Sequence, residues 1–271
     1  MKIKAVRRFF LAVFIVVFII SSYGFTGDVY KCYKVKSEYR RIRDKMIDEA
    51  GKEKIINWKE LLQINKDIVC WIEIPGTPVD YPVVQTTNNQ EYLAKDIYGR
   101  YSIYGAVFLD ERLYDTEPGK NPNNIIYAHN MGRWTDVMFS SLKNYLDASY
   151  LKGHEKVILY TPEKTYRYQI ASVLYASQSF SVYDTEFKNI SFNAWIKEQI
   201  SNSIYPCSKQ NITDYSERFR KGKLDENIRK YGNTLTLSTC DTTHNTDKKI
   251  VVFCIPDPDI SYETHNSGIT T

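Results

Sequence analysis

The 271-residue sequence has only four histidines and five cysteines, and none of them are spaced as metal ligands usually are. No C-x-x-C pair occurs, and Cys32, Cys70, Cys207, Cys240 and Cys254 lie far apart along the chain. Structural zinc sites draw on closely paired ligands, so no structural metal and no cofactor is expected. Organised charge is scarce too. The formal net charge is +4, and past the N-terminus no basic stripe alternates with aromatics, which excludes nucleic acid as the expected partner. Glycine (12) and proline (9) are few, whereas tyrosine reaches 22 in a chain also rich in Val and Ile. Such side chains suit a pleated, half-buried surface and lean the reading towards strands. The balance of 43% hydrophobic and 25% charged residues is that of a globular protein with a real core.

The N-terminus carries the one long apolar run. Lys2, Lys4, Arg7 and Arg8 precede Phe9–Ile20, and no charge appears again until after Phe25. Cations on the cytoplasmic side of such a run imply export of the rest of the chain. A cleaved signal peptide would need a small-x-small site, for which Ser22-Tyr23-Gly24 is mediocre. The run is therefore read as an uncleaved anchor over 1–25, giving a single-pass membrane protein with an extracellular body. An odd cysteine count in an exported chain leaves at least one thiol unpaired.

Residues 26–66 are dense in charge. Tyr39, Ile42, Met46 and Ile47, then Ile55, Ile56, Trp58, Leu61 and Leu62, predict two short amphipathic helices split near Gly51. From Asp67 the texture changes to short strands between turn residues. These are Ile68–Ile74, Val79–Gln85, Ala106–Leu109, Asn124–His129, a hairpin of Lys156–Tyr160 and Tyr166–Ile170 around Pro162, then Asn233–Thr239 and Ile250–Ile255. Phe192–Ile204 has helical periodicity through Trp195, Ile196 and Ile200. The expectation over 67–256 is a mainly β fold, a closed barrel of seven to eight strands with N-terminal helices and an inserted helix. The polar tail, 257–271, is expected to be loose.

Two residues stand where chemistry is plausible. Cys240 ends the alternating strand Thr236-Leu237-Ser238-Thr239 just before a polar loop, a position that exposes a thiol at a barrel rim. Cys254, by contrast, sits inside an apolar stretch. A thiolate is the nucleophilic form, and a nearby histidine or cation raises its population. His129 ends Ile125-Ile126-Tyr127, where an imidazole can serve as general acid and base. His244 competes by lying four residues past Cys240, although a loop fixes no geometry. His154 and His265 lie in a turn and in the tail.

The segments TLSTC…KKIVVF, NNIIYAHNM and WIEIPGTPVDYPVVQ resemble the motifs of sortases, the last of them those of class B in particular. The helical N-terminal segment and the helix near Ser191–Ile204 fit that class as well. The resemblance implies a Gram-positive cell-surface cysteine transpeptidase. Cys240 would attack a sorting-signal carbonyl to form a thioacyl enzyme. His129 would protonate the leaving amine and then deprotonate an incoming amino group of a peptidoglycan precursor or cross-bridge. Its partners would be surface proteins bearing that signal, and Thr239, Ser238 and Lys248 would be substrate-binding residues.

One departure bears on mechanism. The family uses an arginine before the last strand, but this chain has none after Arg229, and Lys249 aligns with that position beside Lys248. Lysine brings charge without the planar fork of a guanidinium, so either lysine substitutes, an upstream arginine reaches the site, or the enzyme is impaired. Ala128 stands where a glycine is expected, and Asp241 is a candidate orienter of His129. Two other readings remain: a pilin-polymerising sortase with a lysine side chain as acceptor, and a non-catalytic binding module that keeps the barrel.

Overall fold

A computed structural model describes residues 2–50, 53–114, 117–132, 134–177, 179–205, 234–240 and 248–257. The chain divides into two units, Met1–Lys45 and Met46–Thr271. In the first, helix α1 (Lys2–Met46) continues without a break far past the apolar run. It is long and apolar enough to cross a membrane, and its side chains from Phe9 to Ile20 are exposed.

The second unit opens with a difference from the sequence reading. In place of a second helix beginning near Ile55, β1 (Ile47–Ala50) and β2 (Glu53–Ile56) form an antiparallel hairpin with Ile47 opposite Ile56. Only Trp58–Ile64 is helical (α2), capped by the Asn57 side chain, which accepts from the Glu60 amide. Ile56 is buried while Ile55 is exposed, an alternation of period two that neighbouring apolar residues had disguised as a helical face. Lys54 is fixed between Glu73 (3.0 Å) and Asp80 (2.8 Å), carboxylates of barrel residues that sit opposite each other across a strand pair.

Eight strands then close a barrel: β3 (Ile68–Glu73), β4 (Asp80–Val84), β5 (Val107–Leu109), β6 (Asn123–Tyr127), β7 (Lys156–Tyr160), β8 (Thr165–Ala176), β9 (Thr234–Cys240) and β10 (Lys249–Pro256), with a one-turn helix α3 (Ala148–Leu151) before β7. Their order around the barrel is β10-β8-β7-β3-β4-β5-β6-β9, with β9 pairing back onto β10. All pairs are antiparallel except β4–β5 and β6–β9. The expected strands are all present, and β8 runs six residues beyond Ile170 because β10 pairs with it as far as Ala176.

Strands β9 and β10 are buried on both faces. One face meets the barrel interior. On the other side, helix α4 (Phe192–Ser201) packs its Trp195, Ile196 and Ile200 against Ile125 of β6 and Val251, Phe253 and Ile255 of β10. The Trp195 ring meets Phe253 edge-on at 5.3 Å, and Phe187 likewise at 4.7 Å. Ser191 caps α4 by accepting from the Ala194 amide. Residues 258–271, together with Cys207, Asp241, His244 and His265, lie outside the described residues.

Candidate active site

Three neighbouring strands bring the predicted residues to one end of the barrel. β6 and β9 run parallel with Tyr127 opposite Ser238. Two residues further along each chain come His129 and Cys240, so the two fall level just past this register. The alignment persists beyond the strands: the Ala128 amide donates to the Ser238 carbonyl (3.4 Å), and Asn130 Nδ2 donates to the Cys240 carbonyl (2.9 Å). On the other side β10 starts antiparallel to β9 with Lys249 directly opposite Cys240. Directly opposed residues project to the same face of a sheet, and Lys249 Nζ donates to Cys240 Sγ at 2.9 Å.

These side chains line a cleft of about 510 Å³. Cys240 is half-buried there, whereas Cys70 and Cys254 are fully buried and burial pushes both thiols up. Cys240 is thus the barrel thiol that a solute in the cleft can meet. His129 Nε2 lies 2.8 Å from the Leu93 carbonyl oxygen. A carbonyl only accepts, so Nε2 carries a proton, and in the neutral ring Nδ1 is left as the basic nitrogen. The ring is packed against Gly105, whose φ of +59° suits glycine. A Cβ there would stand 2.6 Å from the Tyr92 carbonyl oxygen and 3.0 Å from His129 Cδ2.

The other expected residues have distinct positions. Ser238 is buried, its hydroxyl 2.9 Å from the Tyr183 hydroxyl. Thr239 is also buried at the cleft, but its hydroxyl donates to the Ala128 carbonyl (2.8 Å) and holds β6 to β9. Lys248 is exposed and does not line the cleft.

Several lining residues escaped the sequence reading. Tyr183 sits on a turn tied to α4, where Trp195 Nε1 donates to the Ser181 carbonyl (2.7 Å) and Gln199 Nε2 to the Ser181 hydroxyl (3.0 Å). Burial pushes the Tyr183 phenol up to about 12, so it acts as a neutral hydrogen-bonding group. Asp110, fully buried, grips the Arg112 guanidinium through Nε (2.9 Å) and Nη2 (2.8 Å), and its Oδ2 also accepts from the Tyr127 hydroxyl (2.8 Å). Burial opposes the Asp110 carboxylate, but the Arg112 hydrogen bonds outweigh it and hold the carboxyl below its ordinary value. Asn89 completes the wall, exchanging hydrogen bonds with Glu111 at 2.8 and 2.9 Å. Among the described residues no group of three or more His, Cys, Asp or Glu side chains could hold a metal ion.

Comparison with known proteins identifies the family. A sortase-domain family profile matches residues 72–257. Sortase B of Staphylococcus aureus is 28% identical over 256 residues, which is 93% of this chain and 97% of that one. Sortase B of Listeria monocytogenes is 29% identical over 70% of this chain and 69% of its own. Among solved structures, sortase B from Bacillus anthracis superposes with a TM-score of 0.63 at 26% identity, covering 85% of this chain and 98% of that one. A substrate complex of S. aureus sortase B gives 0.61 at 25% identity, covering 86% and 97%. With the barrel, its strand order and a thiol at the rim already in place, the chain belongs to the sortase family as a class B cysteine transpeptidase.

Proposed function

We propose that this transpeptidase cleaves a sorting signal near the C-terminus of exported proteins and transfers them to an amino group of the cell wall, working from the outer face of the membrane on helix α1. Three side chains carry the reaction. Cys240 supplies the nucleophilic thiolate, and the Lys249 ammonium stands 2.9 Å from its sulfur. The thiolate attacks the carbonyl carbon of the scissile peptide bond, forming a C–S bond and a tetrahedral oxyanion that Lys249 is near enough to stabilise. His129, protonated on Nδ1 with Nε2 held by the Leu93 carbonyl, gives that proton to the leaving amine as the C–N bond breaks. A thioacyl enzyme remains. An incoming amine then attacks it, loses its proton to Nδ1 and expels the thiolate, which returns both groups to their starting states.

The observation that carries this reading is the Lys249–Cys240 contact. It supports lysine in the place where the family uses arginine, although one ammonium lacks the fork that would hold sulfur and oxyanion in fixed directions. The full-length chain in detergent, given quenched-fluorophore peptides randomised around a fixed threonine, should cleave a subset of them. Cleavage should vanish in Cys240→Ala and speed up when a primary amine is added. Cleavage that survives Cys240→Ala, or that no amine accelerates, would contradict the reading.

A further inference from the structure

Arg112 is the second cation lining the cleft, and the acyl-transfer mechanism gives it no task. It stands on a shared wall, because it also lines an adjoining cavity of about 270 Å³ bounded by residues 184–189. Its guanidinium is gripped by Asp110, with the Tyr127 hydroxyl beside it. Nε and Nη2 go to Asp110, and among the described residues no hydrogen bond is made by Nη1. The side chain is 46% exposed above a carboxylate that is 1% exposed. A surface arginine sampling many rotamers would show neither feature. A buried acid, further fixed by the Tyr127 hydroxyl, aims a planar donor edge towards open space between two cavities.

The local charge decides what that edge would bind. Asp110 already cancels the guanidinium charge. The adjoining cavity adds Asp184 and Glu186 against Lys188, and Glu186 and Lys188 pair with each other. A free carboxylate or phosphate would meet two acids there with little net positive charge to offset them. A carbonyl oxygen of a peptide needs only donors in a fixed direction, which a pre-oriented guanidinium provides at small entropic cost.

We propose that Arg112 is a substrate-binding residue: its outer N–H groups take one backbone or side-chain carbonyl oxygen of the bound peptide, where that peptide passes from the Cys240 cleft into the cavity beside residues 184–189. Asp110 and Tyr127 act through it as positioning residues. This inference rests on the proposal that a peptide lies in the cleft.

The test uses the full-length chain and the best-cleaved peptide of the randomised library. That peptide is remade with a thioamide, a poor acceptor, at one carbonyl at a time away from the scissile bond. In wild type, one replacement should raise KM about tenfold, the worth of a hydrogen bond to a charged donor. Arg112→Lys keeps an ion pair for Asp110 but not the outer donor edge. It should raise KM for the unmodified peptide by about the same factor, with kcat changed by no more than about twofold, and that thioamide should then carry no further penalty. The double variant Asp110→Asn/Arg112→Gln replaces the ion pair by neutral amides and should repeat the result if Arg112→Lys folds poorly. The inference is overturned if no thioamide raises KM in wild type, if folded variants keep the wild-type KM, or if the penalty persists undiminished in them. Wild type cleaving no peptide at all would sink the sorting-signal reading, and this inference with it.

Discussion

At the scale of single residues, the site depends on which charges stay fixed. Asp110 is the clearest case, because its carboxyl is held below its ordinary value in the folded chain. The folded protein therefore binds fewer protons at this group than the unfolded chain does in mildly acid solution. Its contribution to stability is complete above the unfolded value, near 3.9, and is lost as pH falls through the lower folded value. Asp110→Asn should accordingly cost about 2 kcal/mol at neutral pH by leaving Arg112 with a neutral partner. The gap to wild type should close as urea titrations are repeated at steadily lower pH. A gap unchanged down to pH of about 3 would mean that Asp110 carries no net stabilising charge interaction.

At the scale of elements, helix α4 acts as a splint for one wall of the cleft. Its Trp195 is fully buried against Phe253 and also donates to the Ser181 carbonyl. That bond fixes the turn from which Tyr183 reaches Ser238. Trp195→Ala should destabilise the protein by about 3–5 kcal/mol through the cavity it leaves. Trp195→Phe keeps most of the apolar contact but strands the carbonyl, at a cost of about 1–2 kcal/mol. If the splint matters to the site, the Phe variant should also raise KM for peptide cleavage. An unchanged KM in a measurably destabilised variant would show α4 to be a scaffold with no bearing on the cleft. The β1–β2 hairpin is another element with a definite anchor, since Lys54 bridges Glu73 and Asp80 where those two carboxylates face each other.

At the scale of the whole molecule, the strands were legible because their alternation and turn residues are local signals. Cys240 and His129 stood out as candidates for a similar reason: Cys240 ends such a strand and His129 lies two residues past another. What brings them level is the parallel register of β6 on β9, a pairing between segments more than 100 residues apart that no local pattern encodes. The hairpin at 47–56 was misread because Ile55 and Ile56 fit a helical face as well as a strand. Arg112 was not legible at all. In the sequence it is a charged residue in a polar turn, and its meaning comes from a buried acid two residues away and from the strands that set both beside the cleft. Lys249 lay between these extremes, visible through the family resemblance and given physical content by its contact with the sulfur. The stretch between β9 and β10 that carries Asp241, the candidate orienter of His129, and His244, its competitor, lies outside the described residues.

The central claim is that Cys240, activated by Lys249, becomes acylated, and intact-mass measurement tests it most directly. Full-length wild type mixed with its best peptide should gain the mass of the acyl fragment on Cys240, and a primary amine should discharge it faster than water does. In Lys249→Met the adduct should form about 10²–10³-fold more slowly, the usual loss for one oxyanion donor. In Cys240→Ala it should not form at all. An adduct on another residue, or acylation of Lys249→Met at the wild-type rate, would contradict the account.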